Sequence, residues 1–317
     1  NEENQQMDLQ KLSEAITERT KVIVPVDLGG VVCEYDKIME IIKQKTHLFR
    51  PSNELQKKLS RIFVSADCAH SFGAQWNGKM AGEIGDFSSF SFHAVKNLTT
   101  AEGGALTWNL PFGNEPVVMD ADTTVPAIEG ETWNEFLYRK CQLFSLHGQN
   151  KDALAKTTLG AWEYDVIGPW YKCNMTDIMA ALGLAQMERY EAMLEKRQQY
   201  VARFNEAFKD LNVVVLNHKG KNHCSSHHLY IIRLLNRTRK QVNEVITKMA
   251  ERGIATNVHY KPLPMMTAYK ALGFDIKNYP NAYKMFENTM TLPLNTCMTE
   301  EDVEYVIKNF VDIVKEL

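Results

Sequence analysis

A chain of 317 residues is long for a single core and points to two domains or one large α/β unit. Its 44% apolar and 24% charged residues leave no case for disorder, and a formal charge of -3 argues against a nucleic-acid partner, which favours a basic stripe. No apolar run reaches the roughly 18 residues of a membrane span, and the polar, helix-like start does not read as a signal peptide.

The six cysteines (Cys33, Cys68, Cys141, Cys173, Cys224, Cys297) are scattered with no CxxC pair, which reads as reduced thiols in a cytoplasmic protein. The chain starts with Asn and leads straight into "MDLQKLSEAITERTKVIVPV", a helix running into a buried strand, as though the protein were entered partway through.

In chain order, residues 22–28 ("VIVPVDL") form a nearly continuous apolar run, expected of a strand covered on both faces. Helical periodicity follows from Asp36 to Lys45, and Pro51 helps begin another short helix. "RIFVSAD" (61–67) predicts a second buried strand ending on a carboxylate, "DFSSFSFH" (86–93) a third and "GGALTW" (103–108) a fourth. Short apolar strands alternating with helices indicate a mostly parallel α/β sheet.

Residues 110–132 read as loop and Trp133 to Ser145 as helix. From Thr176, an N-cap, helix formers run to about Leu211, long enough to bridge two domains. A strand at 227–234 leads to Thr238, which has capping-box spacing with Gln241, and Gly253 is a natural end for that helix. A short strand at 254–258, a loop rich in Pro and Met, and a helix from Thr299 complete a small α+β unit.

Open α/β sheets bind ligands at the carboxyl ends of their strands, where Asp67 and the stretch from Ser91 to Lys96 fall. An acid and a lysine on separate strand ends are the pair that a pyridoxal phosphate enzyme requires. The lysine bonds the cofactor aldehyde, the acid keeps the ring nitrogen protonated, and the displaced lysine moves a proton between two carbons. A small hydroxyl such as Ser91 suits the phosphate. Spacing alone leaves the ordinary readings open, because a lysine after a strand is usually solvated and an Asp there usually caps a helix.

"SADCAHSFGA", "GDFSSFSFHAVKNLTTAEGGAL" and "YKCNMTDIMAALGLAQMERYE", in that order, resemble the DegT/DnrJ/EryC1/StrS family of nucleotide-sugar aminotransferases. "TKVIVPVDLGG", "HHLYIIRL", "GIATNVHYKPL" and "LPLNTCMTEEDV" fit as well, so the resemblance runs from about residue 8 to the C-terminus. It implies a fold-type I architecture, a mostly parallel sheet flanked by helices with a smaller α+β C-terminal domain. Residues 1–190 would form the cofactor domain and 191–317 the small domain, with the bridging helix at its start.

The resemblance further implies pyridoxal 5'-phosphate as cofactor, with Lys96 as the Schiff-base lysine and Asp67 as the partner of the ring nitrogen. It places His70 against the cofactor, Ser91 on its phosphate, and Asn174 on the phosphate of a neighbouring subunit, hence a homodimer with shared sites. His93 marks the branch that acts on the 4-keto group of sugar nucleotides. His228 borders the sugar site, and His259 and Tyr260 lie near its entrance. His147 faces substrate or caps a helix. The implied activity is transfer of an amino group from glutamate to a nucleotide-linked keto sugar, in cell-surface polysaccharide or amino-sugar biosynthesis.

The family's N-terminal part, with its Gly-Thr turn on the phosphate and its stacking aromatic, has no counterpart in this sequence. Asp27 stands where many members have His after "PV", a position that bears on substrate preference. Two rivals are a dehydratase of the same family, whose branch has His in place of Lys96, and a cofactor-binding homologue without catalysis. In "HCSSHH" (223–228) neighbouring side chains of an extended strand point to opposite faces, so no metal site is expected. "DLGGVV" (27–32) reads as a turn, and Met265 and Met266 as core.

Overall fold

The computed structural model describes residues 5–117, 124–150 and 163–316. Helix α1 (Leu9–Ala15) leads into β1 (Val22–Ile23), a 3-10 turn over Leu28–Gly30 and α2 (Tyr35–Gln44). Then come α3 (Glu54–Leu59), β2 (Phe63–Asp67), a small hairpin of β3 (Gln75–Trp76) and β4 (Lys79–Met80), β5 (Phe87–Ser91), β6 (Gly104–Trp108) and α4 (Trp133–Ser145). The order is β1-β2-β5-β6, with β1, β2 and β5 parallel and β6 antiparallel to β5.

The 22–28 run differs from the expectation in two ways. Pro25 has no N–H to give, so the ladder shrinks to β1 and an isolated bridge between Val26 and Asp67. Its side chains alternate: Ile23 and Asp27 are buried, whereas Val22, Val24 and Val26 are 46–52% exposed. Only one face is covered, by a core of Ile38 and Ile42 of α2 with Ile62, Val64, Ala66, Phe90 and Phe92. The short helix after Pro51 starts at Glu54, because Asn53 caps it by accepting from Gln56 N.

The stretch from Thr176 is two helices, α5 (Asp177–Met187) and α6 (Tyr190–Phe208). The break lies between two anchored side chains. Gln186 exchanges hydrogen bonds with the backbone of Thr99 at 3.1 and 2.7 Å, and Tyr190 Oη donates to Phe72 O at 2.7 Å. Tyr200, Phe204 and Phe208 of α6 then join a second core.

That core covers an antiparallel sheet of β7 (Val213–Val215), β9 (Tyr230–Leu234) and β10 (Thr289–Leu292), in the order β10-β9-β7. The two-residue β8 (His223–Cys224) pairs instead with β3. Helices α7 (Arg239–Glu251) and α10 (Glu300–Lys315) begin with capping boxes at Thr238 and Thr299, and between them lie the short α8 (Thr267–Ala271) and α9 (Pro280–Glu287). Residues 225–229 are not strand: His227 takes φ +51°, and pairing begins only at Tyr230. Residues 254–258 contribute one bridge, Asn257 to Thr291. Met266 is 37% exposed and Met265 only partly buried, so this pair is not core.

Candidate active site

Asp67 closes β2, and Ser91 closes β5, its parallel neighbour; Asp67 is in register with Ser89. Both therefore lie at the carboxyl edge of the sheet. Beyond Ser91 the chain loops out and returns as β6. Phe92 N donates to Gly103 O at 2.8 Å, Thr100 N to Phe92 O at 2.9 Å and Lys96 N to His93 O at 2.9 Å, so Lys96 closes a turn within this loop. Lys96 is partly buried. Burial pushes its ammonium below the usual lysine value, and the nearby Asp67 carboxylate opposes that shift.

Asp67 Oδ1 accepts from Ala69 N at 3.1 Å, which orients the carboxylate. His70 accepts the Gly29 N–H on Nδ1 at 3.2 Å. A ring nitrogen that accepts carries no proton, so neutral His70 bears its proton on Nε2, 3.4 Å from Tyr260 Oη. Burial, aided by Lys96 and His259, lowers His70 to about 4, and the ring is uncharged at neutral pH. The His228 ring lies 4.5 Å away, centroid to centroid, and Tyr260 stacks at 6.3 Å.

His228 is buried, which lowers it to about 2. Asn97 Nδ2 donates to Ser226 O at 2.7 Å, which turns Asn97 Oδ1 toward His228 Nδ1 at 2.9 Å, so that nitrogen carries the His228 proton. His259 Nδ1 lies 2.9 Å from Thr291 Oγ1, and burial followed by the charge of Lys96 lowers its pKa. Buried Arg197 donates through Nη1 to His227 O, His228 O and Leu294 O at 3.2–3.3 Å, which fixes the corner before β9.

Asp67, His70, Lys96, His228 and His259 thus converge, with Ser91 on the same edge, its Oγ accepting from His93 N at 3.4 Å. The His93 ring is half exposed, with Glu102 Oε1 3.6 Å from its Nε2. Asn174 lies elsewhere, in a cleft of about 690 Å³ lined also by Gly103, Leu106, Ser145 and Tyr171. His147 sits beside that cleft: its N–H donates to Tyr171 O at 2.6 Å, and its Nε2 is 3.3 Å from Gln149 Oε1.

Asp27 is 1% exposed, and its carboxylate is fully engaged inside the fold. It accepts from Cys33 N (2.9 Å), Tyr35 Oη (3.0 Å), Ser71 Oγ (2.7 Å) and Cys68 Sγ (3.5 Å), so it ties the 28–35 turn to the 68–71 loop and faces no substrate. Asn97, Ser226 and Arg197 escaped the reading of the sequence, since each acts through partners remote in sequence. The histidines of "HCSSHH" point to separate surroundings: His223 stacks on Trp76 and His227 on His218, and His228 lies tilted against His70.

An amine of lowered proton affinity, a carboxylate on the adjoining strand end, an uncharged flat ring and a strand-end hydroxyl are together the donor set that pyridoxal phosphate needs. The comparisons with known proteins agree with that chemistry. The fold matches the PMP form of the putative sugar aminotransferase Spr1654 from Streptococcus pneumoniae, with a TM-score of 0.86 and 47% identity over 98% of this chain and 73% of that one. It also matches PseC from Helicobacter pylori, an aminotransferase of pseudoaminic acid biosynthesis, with a TM-score of 0.76 and 26% identity over 98% of this chain and 71% of that one. Among sequences, the spore coat polysaccharide biosynthesis protein SpsC of Bacillus subtilis is 33% identical over 313 residues, 98% of this chain and 70% of SpsC. Residues 1–115 and 131–311 match the same family profile, so the chain that sets Lys96 beside Asp67 belongs to the DegT/DnrJ/EryC1/StrS aminotransferase family.

Proposed function

We propose that this chain is a pyridoxal phosphate-dependent sugar aminotransferase that moves an amino group from glutamate to the keto group of a nucleotide-linked sugar, in polysaccharide or amino-sugar biosynthesis. The observation that carries the reading is the partly buried Lys96 amine beside Asp67 and His70, in a chain of this family. The names of Spr1654, PseC and SpsC support a sugar substrate and a role in polysaccharide biosynthesis.

When bound, pyridoxal phosphate supplies an aldehyde that condenses with amines and a ring that withdraws electrons. The protein's residues do the rest. Asp67 offers a carboxylate, oriented by Ala69 N–H, to the ring nitrogen. His70 presents an uncharged ring, held by Gly29 N–H, and Ser91 offers a hydroxyl to the phosphate. Lys96 would hold the cofactor through its amine, and burial, which lowers its proton affinity, favours the unprotonated form that can take up and return a proton. His228 and His259 are assigned to the sugar side, with His93 and His147 at its periphery.

Asn174, which lines the cleft beside His147, is assigned by the family resemblance to the phosphate of a neighbouring subunit, which implies a homodimer with shared sites. Residues 1–190 serve as the cofactor domain and 191–317 as the small domain. No helix among the described residues is long and apolar enough to cross a membrane. The scattered cysteines, with no CxxC pair, support a cytoplasmic location.

The test is borohydride reduction of the purified protein after incubation with pyridoxal phosphate, followed by mass spectrometry. Cofactor mass on the Lys96 peptide is expected, and an unlabelled Lys96 sinks the assignment. In a separate, unreduced sample, addition of glutamate should bleach the visible absorbance, and a panel of 4-keto and 3-keto sugar nucleotides should restore it for the true acceptor.

A further inference from the structure

The residue that follows Lys96 is a buried amide. Asn97 is 6% exposed, although Ala94 and Val95 of the same loop face solvent. Its Nδ2 donates to Ser226 O at 2.7 Å and its Oδ1 accepts from His228 Nδ1 at 2.9 Å, spanning 129 and 131 residues of sequence. The Ser226 end is itself fixed: its N donates to Gly30 O at 3.2 Å, and its Oγ donates to His70 O. Two residues beyond Asn97, Gln186 grips both backbone groups of Thr99. The loop that carries Lys96 is therefore held from the C-terminal half of the chain. This matters because a lysine side chain, with its flexible four-carbon stem, contributes no position of its own.

We propose that Asn97 is a positioning residue for Lys96, whose amide, bonded to Ser226 and His228, keeps the Lys96 amine partly out of water and beside Asp67 and His70. The inference rests on Lys96 being the amine that bonds the cofactor. Burial is the first cause of the lowered Lys96 proton affinity, and it is a property of the loop's seat. Releasing the loop lets water reach the amine and raises its pKa toward the free value. Less of it is then unprotonated and nucleophilic at neutral pH. A purely structural Asn97 would change stability and leave the titration of Lys96 where it is.

The experiment follows the pH dependence of the rate at which pyridoxal phosphate and borohydride trap Lys96, read on the Lys96 peptide by mass spectrometry. The proteins compared are wild type, Asn97→Ala, His228→Leu and His228→Gln, each checked for folding by circular dichroism. In Asn97→Ala the midpoint moves up by about one unit and trapping at neutral pH slows about tenfold. His228→Leu, which leaves Asn97 Oδ1 without its donor, moves the midpoint the same way by less. His228→Gln, whose amide can donate again, returns it toward wild type. A folded Asn97→Ala protein with the wild-type midpoint overturns the inference. If Asn97→Ala does not fold, His228→Leu with a wild-type midpoint overturns it instead. A wild-type protein whose Lys96 is never trapped removes the functional reading itself, so the two failures are told apart.

Discussion

Asp27 shows how a single buried carboxylate can build a site without entering it. Its oxygens collect the Cys33 N–H, the hydroxyls of Tyr35 and Ser71 and the Cys68 thiol, and burial pushes its carboxyl above the usual range despite those bonds. Asp27→Ala strands several buried donors, each costing about 1–3 kcal/mol when left unpaired. With some relief from water entering the gap, urea unfolding is expected to show a loss of about 3 kcal/mol. Asp27→Asn keeps one acceptor oxygen and should lose about half of that. Asp67 is a different case, because its charge acts on the chemistry. Its carboxylate raises the proton affinity of Lys96 against burial, so Asp67→Asn should lower the pH midpoint of Lys96 trapping while the Ala69 N–H bond to Oδ1 survives. Steady-state assays should show kcat down by at least about a hundredfold with a smaller change in KM for the amino donor. A raised KM with kcat unchanged would show that Asp67 serves binding alone.

At the scale of elements, the 28–30 turn joins β1 to the loop that carries His70, and its tightness can be tested. Gly30 has φ +90°, and a Cβ there would lie 2.1 Å from Ser226 Oγ and 2.9 Å from His70 O. Gly30→Ala should cost about 3 kcal/mol and weaken cofactor binding, because the clash falls on the two residues that frame the site. Gly253, φ +74° at the end of α7, has open space around its Cβ position, so Gly253→Ala should cost only about 1 kcal/mol of backbone strain with cofactor affinity unchanged. Urea melts and cofactor titrations of the two variants check the contrast. The same difference between local and remote causes decides what can be read from sequence. Thr238 and Thr299 are legible as caps, because a cap is made within four residues. Asp67 and Lys96 are legible because strand ends and residue chemistry mark them. The break between α5 and α6 is not, since Gln186 and Tyr190 find partners about ninety and about a hundred and twenty residues away. Nor is the burial of Asn97, nor the single covered face of β1, which depends on what packs against the finished sheet.

The whole molecule carries a group of histidines folded in their neutral form. Burial lowers His70 and His227 to about 4, His218 to about 3 and His228 to about 2. His218 stacks on His227 at 5.3 Å and on Tyr230 at 6.4 Å. An unfolded chain protonates its histidines near pH 6.5. Between that value and the folded ones the unfolded state binds more protons, so stability rises with pH there and is lost as the pH falls. The contribution is fully present above about pH 6.5 and drains away toward pH 4, where His70 and His227 begin to protonate in the folded state. Once the pH is well below 6.5, each ring adds about 1.4 kcal/mol per pH unit to the slope. Asp27, whose carboxyl is raised by burial, acts in the opposite sense but with one proton at most. Urea midpoints should therefore fall steeply between pH 6 and 4.5. His218 is the ring to remove, because its Nε2 is buried without a hydrogen-bond partner and its ring lies in a stack that phenylalanine can occupy. His218→Phe gives up the bond between Nδ1 and Ser225 Oγ, which sets its stability at neutral pH. Its slope below pH 6 should still be shallower than wild type by about 1.4 kcal/mol per unit. An unchanged slope would mean that His218 gains its proton without unfolding, which a buried, unpartnered Nε2 does not allow.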